Sequence, residues 1–246
     1  MIAGIRKRCD EKMLSEAELV YVKDTLPFWE ELSGQDQKEL ADAMKLQEFK
    51  AGTWLHRGDQ DCSGLFLLKS GQIRTYFISE TGREITLYRL FERDVCIMTA
   101  SCMMKNITFE VHIEVEKDTQ AYLLPMTVVS GMSDTLLPVK SFLNELMASR
   151  FSDVMWVMEQ VLFTSFDKRL ANFLMEQIAI EDSLTLHITQ EKIASHLGSA
   201  REVVTRMLKY FQQEGVVRLF RGGIKVIDEE QLYRMTDPNS YRHRPS

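Results

Sequence analysis

The sequence of 246 residues contains no run of 18 apolar residues, and its first 16 residues lack the apolar core of a signal peptide. The first absence argues against a membrane-spanning helix, and the second favours a protein that stays in the cytoplasm. The four cysteines include no Cys-x-x-Cys pair. In a chain of this length without a secretion signal, we expect reduced thiols rather than a disulfide framework.

The spacings that mark common enzymes are also missing. The sequence has no nucleophile–base spacing, no phosphate-binding glycine loop and no His-Glu-x-x-His pattern. His187 and His196 flank a short predicted helix and require no catalytic role. We therefore expect a binding protein and no enzymatic activity.

The chain is acidic overall, but residues 192–225 carry a net positive charge. The formal net charge is −6, but residues 192–225 contain seven lysines and arginines and only two acids. This local charge of +5 leaves −11 for the rest of the chain. A basic patch on an acidic body is the electrostatic footprint expected for DNA binding. The same charges also fit an ordinary solvated face, so charge alone leaves both interpretations open.

Two segments with different residue patterns precede the basic region. Residues 15–47 have a helical pattern, and residues 49–128 read as short strands cut by turns, which predicts a β-sandwich or barrel. In residues 109–116, apolar residues alternate with glutamates and one histidine, which predicts a half-buried antiparallel strand. The predicted turns are marked by the pairs Gly58-Asp59, Ser70-Gly71 and Thr81-Gly82.

Glycine and proline are both absent from residues 139–164, which predicts one long helix. Its apolar residues recur at spacings of 4, 3, 4 and 3 at Met147, Phe151, Val154, Met158 and Val161. This spacing is typical of a coiled-coil seam, so one face could pack on a second copy of the helix. An internal amphipathic helix fits the same pattern, and both interpretations stay open.

Residues 188–216, ITQEKIASHLGSAREVVTRMLKYFQQEGV, predict two short helices joined by a glycine turn. The Thr189 and Ser199 hydroxyls are expected to cap the first and second helix, and Gly198 makes the turn between them. Two short strands around residues 221–223 follow. Together these elements predict a winged helix-turn-helix.

The stretch REVVTR, residues 201–206, decides what this motif could do. Burying the valines of the second helix turns a polar set outward near the helix N-terminus, the end that points at base edges in the major groove. Arginine can donate two hydrogen bonds to guanine, glutamate can accept from cytosine, and threonine can contact a base or the thymine methyl group. Lys209 and Arg221 are expected to meet phosphates. The predicted DNA-binding set is Thr189, Gln190, Ser199, Arg201, Glu202, Thr205, Arg206, Lys209 and Arg221.

In this order of strands, long helix and winged helix-turn-helix, the sequence resembles the Crp/Fnr family of bacterial transcription regulators over residues 25–230. The resemblance is carried by ITQEKIASHLGSAREVVTRML, and by FKAGTWLHRGDQ, LFLLKSGQIRTYFISETGREITLYRL and FDKRLANFL. It implies an α+β fold with an N-terminal β-roll sensor domain (double-stranded and jelly-roll-like), a long dimerisation helix and a C-terminal winged helix-turn-helix domain. The implied segments are an N-terminal extension (1–24), a cyclic-nucleotide-binding-like effector domain (25–133), the dimerisation helix (134–165), the DNA-binding domain (166–236) and a tail (237–246).

The resemblance also implies partners and base contacts. Family members are homodimers that bind two-fold symmetric double-stranded operators, and RNA polymerase is a further expected partner. In the cyclic-AMP receptor protein branch, an arginine, the next glutamate and an arginine four residues on touch bases, which here correspond to Arg201, Glu202 and Arg206. In the Fnr branch the set is glutamate, serine and arginine, which correspond to Glu202, Thr205 and Arg206. Threonine thus replaces serine at position 205.

The resemblance does not identify the effector. Cyclic-nucleotide binders of the family use a Gly-Glu pair for the ribose and an arginine for the phosphate. Residues 93–111, RDVCIMTASCMMKNITFEV, lack that pair, and no arginine occurs between Arg93 and Arg150. Lys105 offers a point charge in place of a guanidinium fork. We therefore expect that cyclic AMP is not the effector.

An iron–sulfur cluster is not expected either, because Fnr-type oxygen sensors carry an N-terminal cysteine cluster and this chain has only Cys9 there. Cys96 and Cys102 could sense redox state or hold a metal with His112 as third ligand. Alternatively, both thiols are small buried hydrophobes. Met98 is expected in the core or lining an apolar ligand pocket. No resident metal is predicted.

The sequence therefore predicts a homodimeric, sequence-specific DNA-binding regulator, controlled by an unidentified effector in the β domain. The alternative is a ligand-binding signalling module whose helical domain docks a protein partner. The basic patch and the outward positions of Arg201 and Arg206 argue against that alternative.

Overall fold

A computed structural model of the chain describes residues 14–57, 64–99 and 110–236. Several residues named above lie outside the described ranges: Cys9, Gly58-Asp59, Cys102, Lys105, Phe109 and the tail 237–246. The chain divides into two compact units. One consists of the residues up to 76 together with 88–151, and the other of 77–87 together with the residues from 152 onward.

The elements up to the long helix comprise four helices, a single 3-10 turn and six strands within the described ranges. In chain order they are α1 (Glu16–Thr25), the 3-10 turn Trp29–Glu31, α2 (Gly34–Ala43), β1 (Lys45–Phe49), β2 (Trp54–Arg57), β3 (Leu65–Ile78), β4 (Glu84–Leu90), β5 (Val95–Cys96), β6 (His112–Leu124), α3 (Met126–Thr135) and α4 (Leu137–Phe163). The strands form one sheet in the order β1-β6-β3-β4, with β2 paired to β6 and β5 to β3. The expected α+β fold with an N-terminal β domain is confirmed.

Strand β3 is longer than the sequence pattern predicts. The pair Ser70-Gly71 does not end a strand, because β3 runs through it with an irregular register against β6. Gly71 has a φ of +96°, and a side chain there would collide with Thr119 on β6. Its glycine therefore marks a bulge inside a strand rather than a turn between two strands.

The helical pattern predicted for residues 15–47 also ends earlier in the structure. Helix α2 stops at Ala43, and residues 45–49 pair with β6, with Leu46 opposite Tyr122. In KLQEF the apolar residues Leu46 and Phe49 lie three positions apart, so the local spacing does not have the two-residue period of a strand. Pairing with β6 overrides its continuity with the preceding helix.

The predicted half-buried strand is confirmed for the described part of residues 109–116. Val111, Ile113 and Val115 are buried. The opposite face is only partly solvated, because Glu116 pairs with the Arg89 side chain at 2.8 Å, and Arg89 is only 4% exposed. Gln72 donates a second hydrogen bond to the same carboxylate at 2.7 Å. A charge this deep in the sheet requires such partners.

Helix α1 packs on the first unit, although most of it falls in the predicted N-terminal extension. Val22 is fully buried in the core of the first unit. The Tyr21 hydroxyl donates to the Leu68 carbonyl at 2.5 Å and accepts from the Arg93 N–H at 3.0 Å. Ser15 and Glu18 form a capping box at the start of the helix. This segment is therefore part of the folded β domain.

The long helix α4 has an apolar face that is exposed among the residues that the structure describes. On one side, Leu143 is buried in the core of the first unit. Further along, four apolar residues at spacings of 4, 3 and 4 lie 67%, 40%, 48% and 61% exposed; these are Phe151, Met155, Met158 and Leu162, here called the α4 stripe. No helix in the described part of the chain is both long and apolar enough to span a membrane.

The α4 stripe is displaced by one position from parts of the predicted seam. Phe151 and Met158 belong to both sets. Met147 and Val154 are half-buried, and Met147 packs on the core of the first unit. Val161, the last residue of the predicted seam, is exposed as well, at 43%. The seam between two copies of α4 stays a prediction.

The remaining elements belong to the second unit, which has its own apolar core. They are α5 (Phe166–Glu181), β7 (Thr185–Leu186), α6 (Gln190–Leu197), α7 (Arg201–Gln213), β8 (Val217–Phe220), β9 (Gly223–Val226) and α8 (Glu229–Arg234). The predicted wing strands pair with each other, and β7 adds a third strand, in the order β7-β9-β8. The predicted winged helix-turn-helix is thereby confirmed.

Candidate nucleic-acid interface

Helix α6 begins where the sequence predicts. Thr189 is its N-cap, and the Thr189 hydroxyl accepts a hydrogen bond from the Lys192 N–H at 3.2 Å. Ile193 is fully buried, so this side of the helix is anchored in the core of the second unit. The cap and the buried face together fix the direction in which Gln190, the first helical residue, leaves the backbone.

The turn after α6 requires glycine for two reasons. Gly198 has a φ of +64°, a left-handed conformation that side-chain-bearing residues adopt at a cost. A Cβ at this position would also lie only 3.1 Å from Cδ1 of Ile85. Ile85 sits in the hairpin 77–87, which belongs to the second unit, and pairs with Leu197 in an isolated β-bridge.

The predicted cap of α7 by Ser199 is wrong. The N-cap is Ala200, which has an extended conformation, and within the described residues no side chain caps this helix. The turn takes up Gly198 and Ser199, with the Ser199 N–H donating to the Ala194 carbonyl at 3.0 Å. The extended residue before α7 is therefore one position later than the pattern of hydroxyl residues suggests.

One face of helix α7 is buried, so the predicted polar residues on its other face are exposed. Val204, Leu208 and Phe211 are fully buried, and Val203 and Met207 are half-buried. The residues that the structure exposes, as predicted, are Arg201, Glu202, Arg206 and Lys209. Arg201 lies 4.0 Å from Glu191 with both side chains largely exposed. A surface contact of this length leaves the guanidinium available to another acceptor.

Thr205 differs from these neighbours because its hydroxyl is engaged within the motif. The hydroxyl lies 2.5 Å from Oε1 of Gln190 on α6 and 2.8 Å from the Arg201 carbonyl. The side chain is half-buried. Sequence reasoning placed both residues in the DNA-binding set but missed this link between the two helices, since 15 residues separate them.

The turn of the wing carries a basic residue, Arg221, next to the packed ring of Phe220. Arg221 is exposed at the turn between β8 and β9, where Gly222 has a φ of +86°. The Phe220 ring packs against Gly223 and meets the His187 ring edge-on at 5.8 Å. These contacts hold the wing turn, so that Arg221 projects from a supported hairpin.

The side chains of Arg169 and His196 make contacts at α6 of the helix-turn-helix. No local sequence pattern marks either residue. The Arg169 guanidinium donates to the Leu197 carbonyl at the end of α6, and burial lowers the Arg169 pKa. His196 is buried, stacks on Phe173 with ring centroids 5.2 Å apart, and has Nδ1 2.8 Å from the Thr86 hydroxyl. These contacts fix the position of the His196 ring, for which no catalytic role was predicted.

The candidate effector residues of the β domain are not brought together. Cys96 is fully buried opposite Phe66, and His112 pairs with Tyr76, ten residues further along β3. At about 3.3 Å per residue, this separation is on the order of 30 Å along the strand. Burial raises the pKa of the Cys96 thiol, which disfavours the reactive thiolate.

Met98 is buried near the end of the described segment. His112 is half-buried and packs against the rings of Trp54 at 5.8 Å and Tyr76 at 5.6 Å. Among the residues that the structure describes, no group of three His, Cys, Asp or Glu side chains could hold a metal ion. Cys96 therefore has the environment of a small core residue, while Cys102 lies outside the described ranges.

Two family models match the chain. Residues 168–235 match the Crp-like helix-turn-helix domain, and residues 46–135 match the cyclic nucleotide-binding domain. A solved structure of a Crp/Fnr-family transcriptional regulator from Eubacterium rectale is 50% identical, with a TM-score of 0.84, and covers 87% of this chain and 99% of that one.

More distant relatives have curated names. The transcriptional activator protein Anr of Pseudomonas aeruginosa is 24% identical over 210 residues, which are 82% of this chain and 84% of that protein. The electron transport regulator A of Shewanella oneidensis is 23% identical over 219 residues, which are 84% of each chain.

Proposed function

The chain belongs to the Crp/Fnr family of transcription regulators, and from that membership we propose that it binds DNA sequence-specifically as a homodimer. The chain is a regulator with a helix-turn-helix domain and not an enzyme. A regulator that works on the bacterial chromosome, with RNA polymerase as its further partner, acts in the cytoplasm.

The observation that carries the proposal is the exposed polar face of α7 after the Gly198 turn. Arg201, Glu202 and Arg206 project from the N-terminal half of a helix whose other face is buried. We assign base contacts to these three residues, because arginine pairs with guanine and glutamate with cytosine in the major groove. Phosphate contacts are assigned to Lys209 and Arg221. Thr189, Gln190 and Ser199 complete the proposed DNA-binding set, and Thr205 is considered below.

The homodimer is supported by the α4 stripe. Four apolar side chains exposed on one face of a long helix are unfavourable in water, and their heptad spacing fits a second α4. Two-fold symmetry would then place two copies of α7 about 34 Å apart, one helical turn of DNA. No comparable observation supports the protein-docking alternative, because it does not explain the net positive charge of residues 192–225.

Binding-site selection from random duplex DNA with the purified full-length chain tests this function. The expected result is enrichment of an inverted repeat whose half-site centres lie about 10 base pairs apart. Binding should weaken steeply with salt, because Lys209 and Arg221 are assigned to phosphates. A pool without any enriched motif after repeated rounds would favour the protein-docking alternative.

Cyclic AMP is not expected to be the effector, and the effector itself is unidentified. The two arginines that bracket the relevant segment each lie over a ring: Arg93 over Tyr21 at 5.7 Å, and Arg150 over Tyr88 at 4.9 Å. A buried phosphate needs a fixed cation, and residues 94–149 supply no arginine for it.

Titration calorimetry with cyclic AMP is therefore expected to show no micromolar binding. The same protein sample titrated with its selected operator DNA provides the control for active material. A dissociation constant for cyclic AMP in the micromolar range would contradict this prediction without affecting the proposed DNA binding.

A further inference from the structure

The proton of the Thr205 hydroxyl is held inside the helix-turn-helix. It lies 2.5 Å from Gln190 Oε1 and 2.8 Å from the Arg201 carbonyl oxygen. A hydroxyl has one proton to donate, and here two protein acceptors compete for it. The donor that a threonine could offer to a base edge is thus held by α6 and by the preceding turn of α7.

The position of the hydroxyl determines which group of Thr205 is left for DNA. The Cβ of threonine carries a hydroxyl and a methyl group in different directions, and its χ1 angle is restricted. With the hydroxyl bonded to the Arg201 carbonyl and to Gln190, the methyl group is the part of the Thr205 side chain that these contacts do not engage. Thr205 is half-buried and directly precedes the exposed Arg206 on α7.

We propose that Thr205 contributes to operator specificity by an apolar contact between its methyl group and the 5-methyl group of a thymine, while Gln190 holds its hydroxyl away from the DNA. The thymine methyl is the apolar feature of the major groove, and threonine methyl groups can pack on it. This inference rests on the proposed function. It assigns Gln190 a positioning role, because that residue acts through Thr205.

The test uses the operator obtained by site selection and removes one methyl group at a time from either partner. Each thymine of a half-site is replaced by uracil, which lacks the 5-methyl group and keeps its hydrogen-bonding edge. On the protein, Thr205→Ser keeps the hydroxyl and removes the methyl group, and Thr205→Val keeps a methyl group and removes the hydroxyl. Affinity is measured by fluorescence anisotropy at fixed salt, and circular dichroism melting checks that each variant is folded.

One uracil position is expected to weaken wild-type binding roughly fourfold per half-site, the ratio that corresponds to burying one methyl-sized group. Thr205→Ser should lose a similar factor on thymine DNA and should no longer respond to that uracil. Thr205→Val should still respond to it. This pattern identifies the two methyl groups as partners, because removing either one removes the same contact.

Three results would overturn the inference: a half-site without thymine, no response of the wild type to any uracil, or Thr205→Ser responding as strongly as the wild type. Loss of the uracil response in Thr205→Val with its retention in Thr205→Ser would show that the thymine methyl group packs against the hydroxyl of residue 205 and not against its methyl group, which also overturns it. In each case the operator is still bound in preference to scrambled DNA. Equal affinity for operator and scrambled DNA would instead mean that the proposed function itself fails.

Discussion

Replacing Arg206 by alanine is expected to abolish preferential binding to the operator while the chain stays folded and dimeric. Arg206 is exposed on α7, one turn after Glu202, and makes no contribution to the buried core of the second unit. A guanidinium that donates two hydrogen bonds to guanine discriminates by about 1–3 kcal/mol per base contact. In a two-fold symmetric complex the loss occurs in both half-sites.

Lys209→Ala is the matched control for this prediction. Lys209 is exposed on the same helix one turn further on and is assigned to a phosphate. Its removal should weaken binding to operator and scrambled DNA alike and reduce the salt dependence by about one unit of slope per subunit. Gel shifts at several salt concentrations separate the two variants. Undiminished operator preference in Arg206→Ala would mean that REVVTR is an ordinary solvated helix face.

The second large effect is expected from Met158→Asp, which should convert the dimer into folded monomers that no longer bind the operator. Met158 is 48% exposed in a single chain, so aspartate there does not disturb the core of the subunit. In a closed seam it would be a buried charge without a partner, which costs about 3–5 kcal/mol. The dimer dissociation constant should therefore rise at least about 100-fold.

Met158→Leu serves as the control, because it preserves the apolar volume at the same position and should remain dimeric. Sedimentation velocity over a range of chain concentrations measures the association, and thermal melting checks the fold. A Met158→Asp chain that sediments as the wild type does would show that the α4 stripe is not the dimer seam, and the homodimer would then need another surface.

The sequence was a good guide wherever local pattern and tertiary packing agree. Thr189, Gly198 and the buried stripe through Val204 predict α6, the turn and α7, because capping, a left-handed turn and a helical period each have a local signature. The exposed polar face of α7 follows from that period. Ser199 shows the limit, since a hydroxyl residue before a helix does not fix which residue is the N-cap.

Other features depend on residues distant in the sequence, and no local pattern could supply them. Gly71 resembles a turn signal, and only its approach to Thr119 on β6 shows that it sits inside a strand. The contact between Thr86 and His196 joins residues 110 positions apart. The engagement of Thr205 by Gln190 likewise requires the packed arrangement of two helices, which alters what threonine can offer to a base.

The exposed apolar face of α4 links the proposed homodimer to the abundance of the protein. If those side chains are closed only by a second copy, mass action governs the supply of the DNA-binding species. Below the dimer dissociation constant, a twofold rise in chain concentration yields about four times as many dimers. Operator occupancy would then respond more steeply than expression does. An effector that altered only the affinity of one α4 for another could switch transcription without any change in the helix that reads the bases.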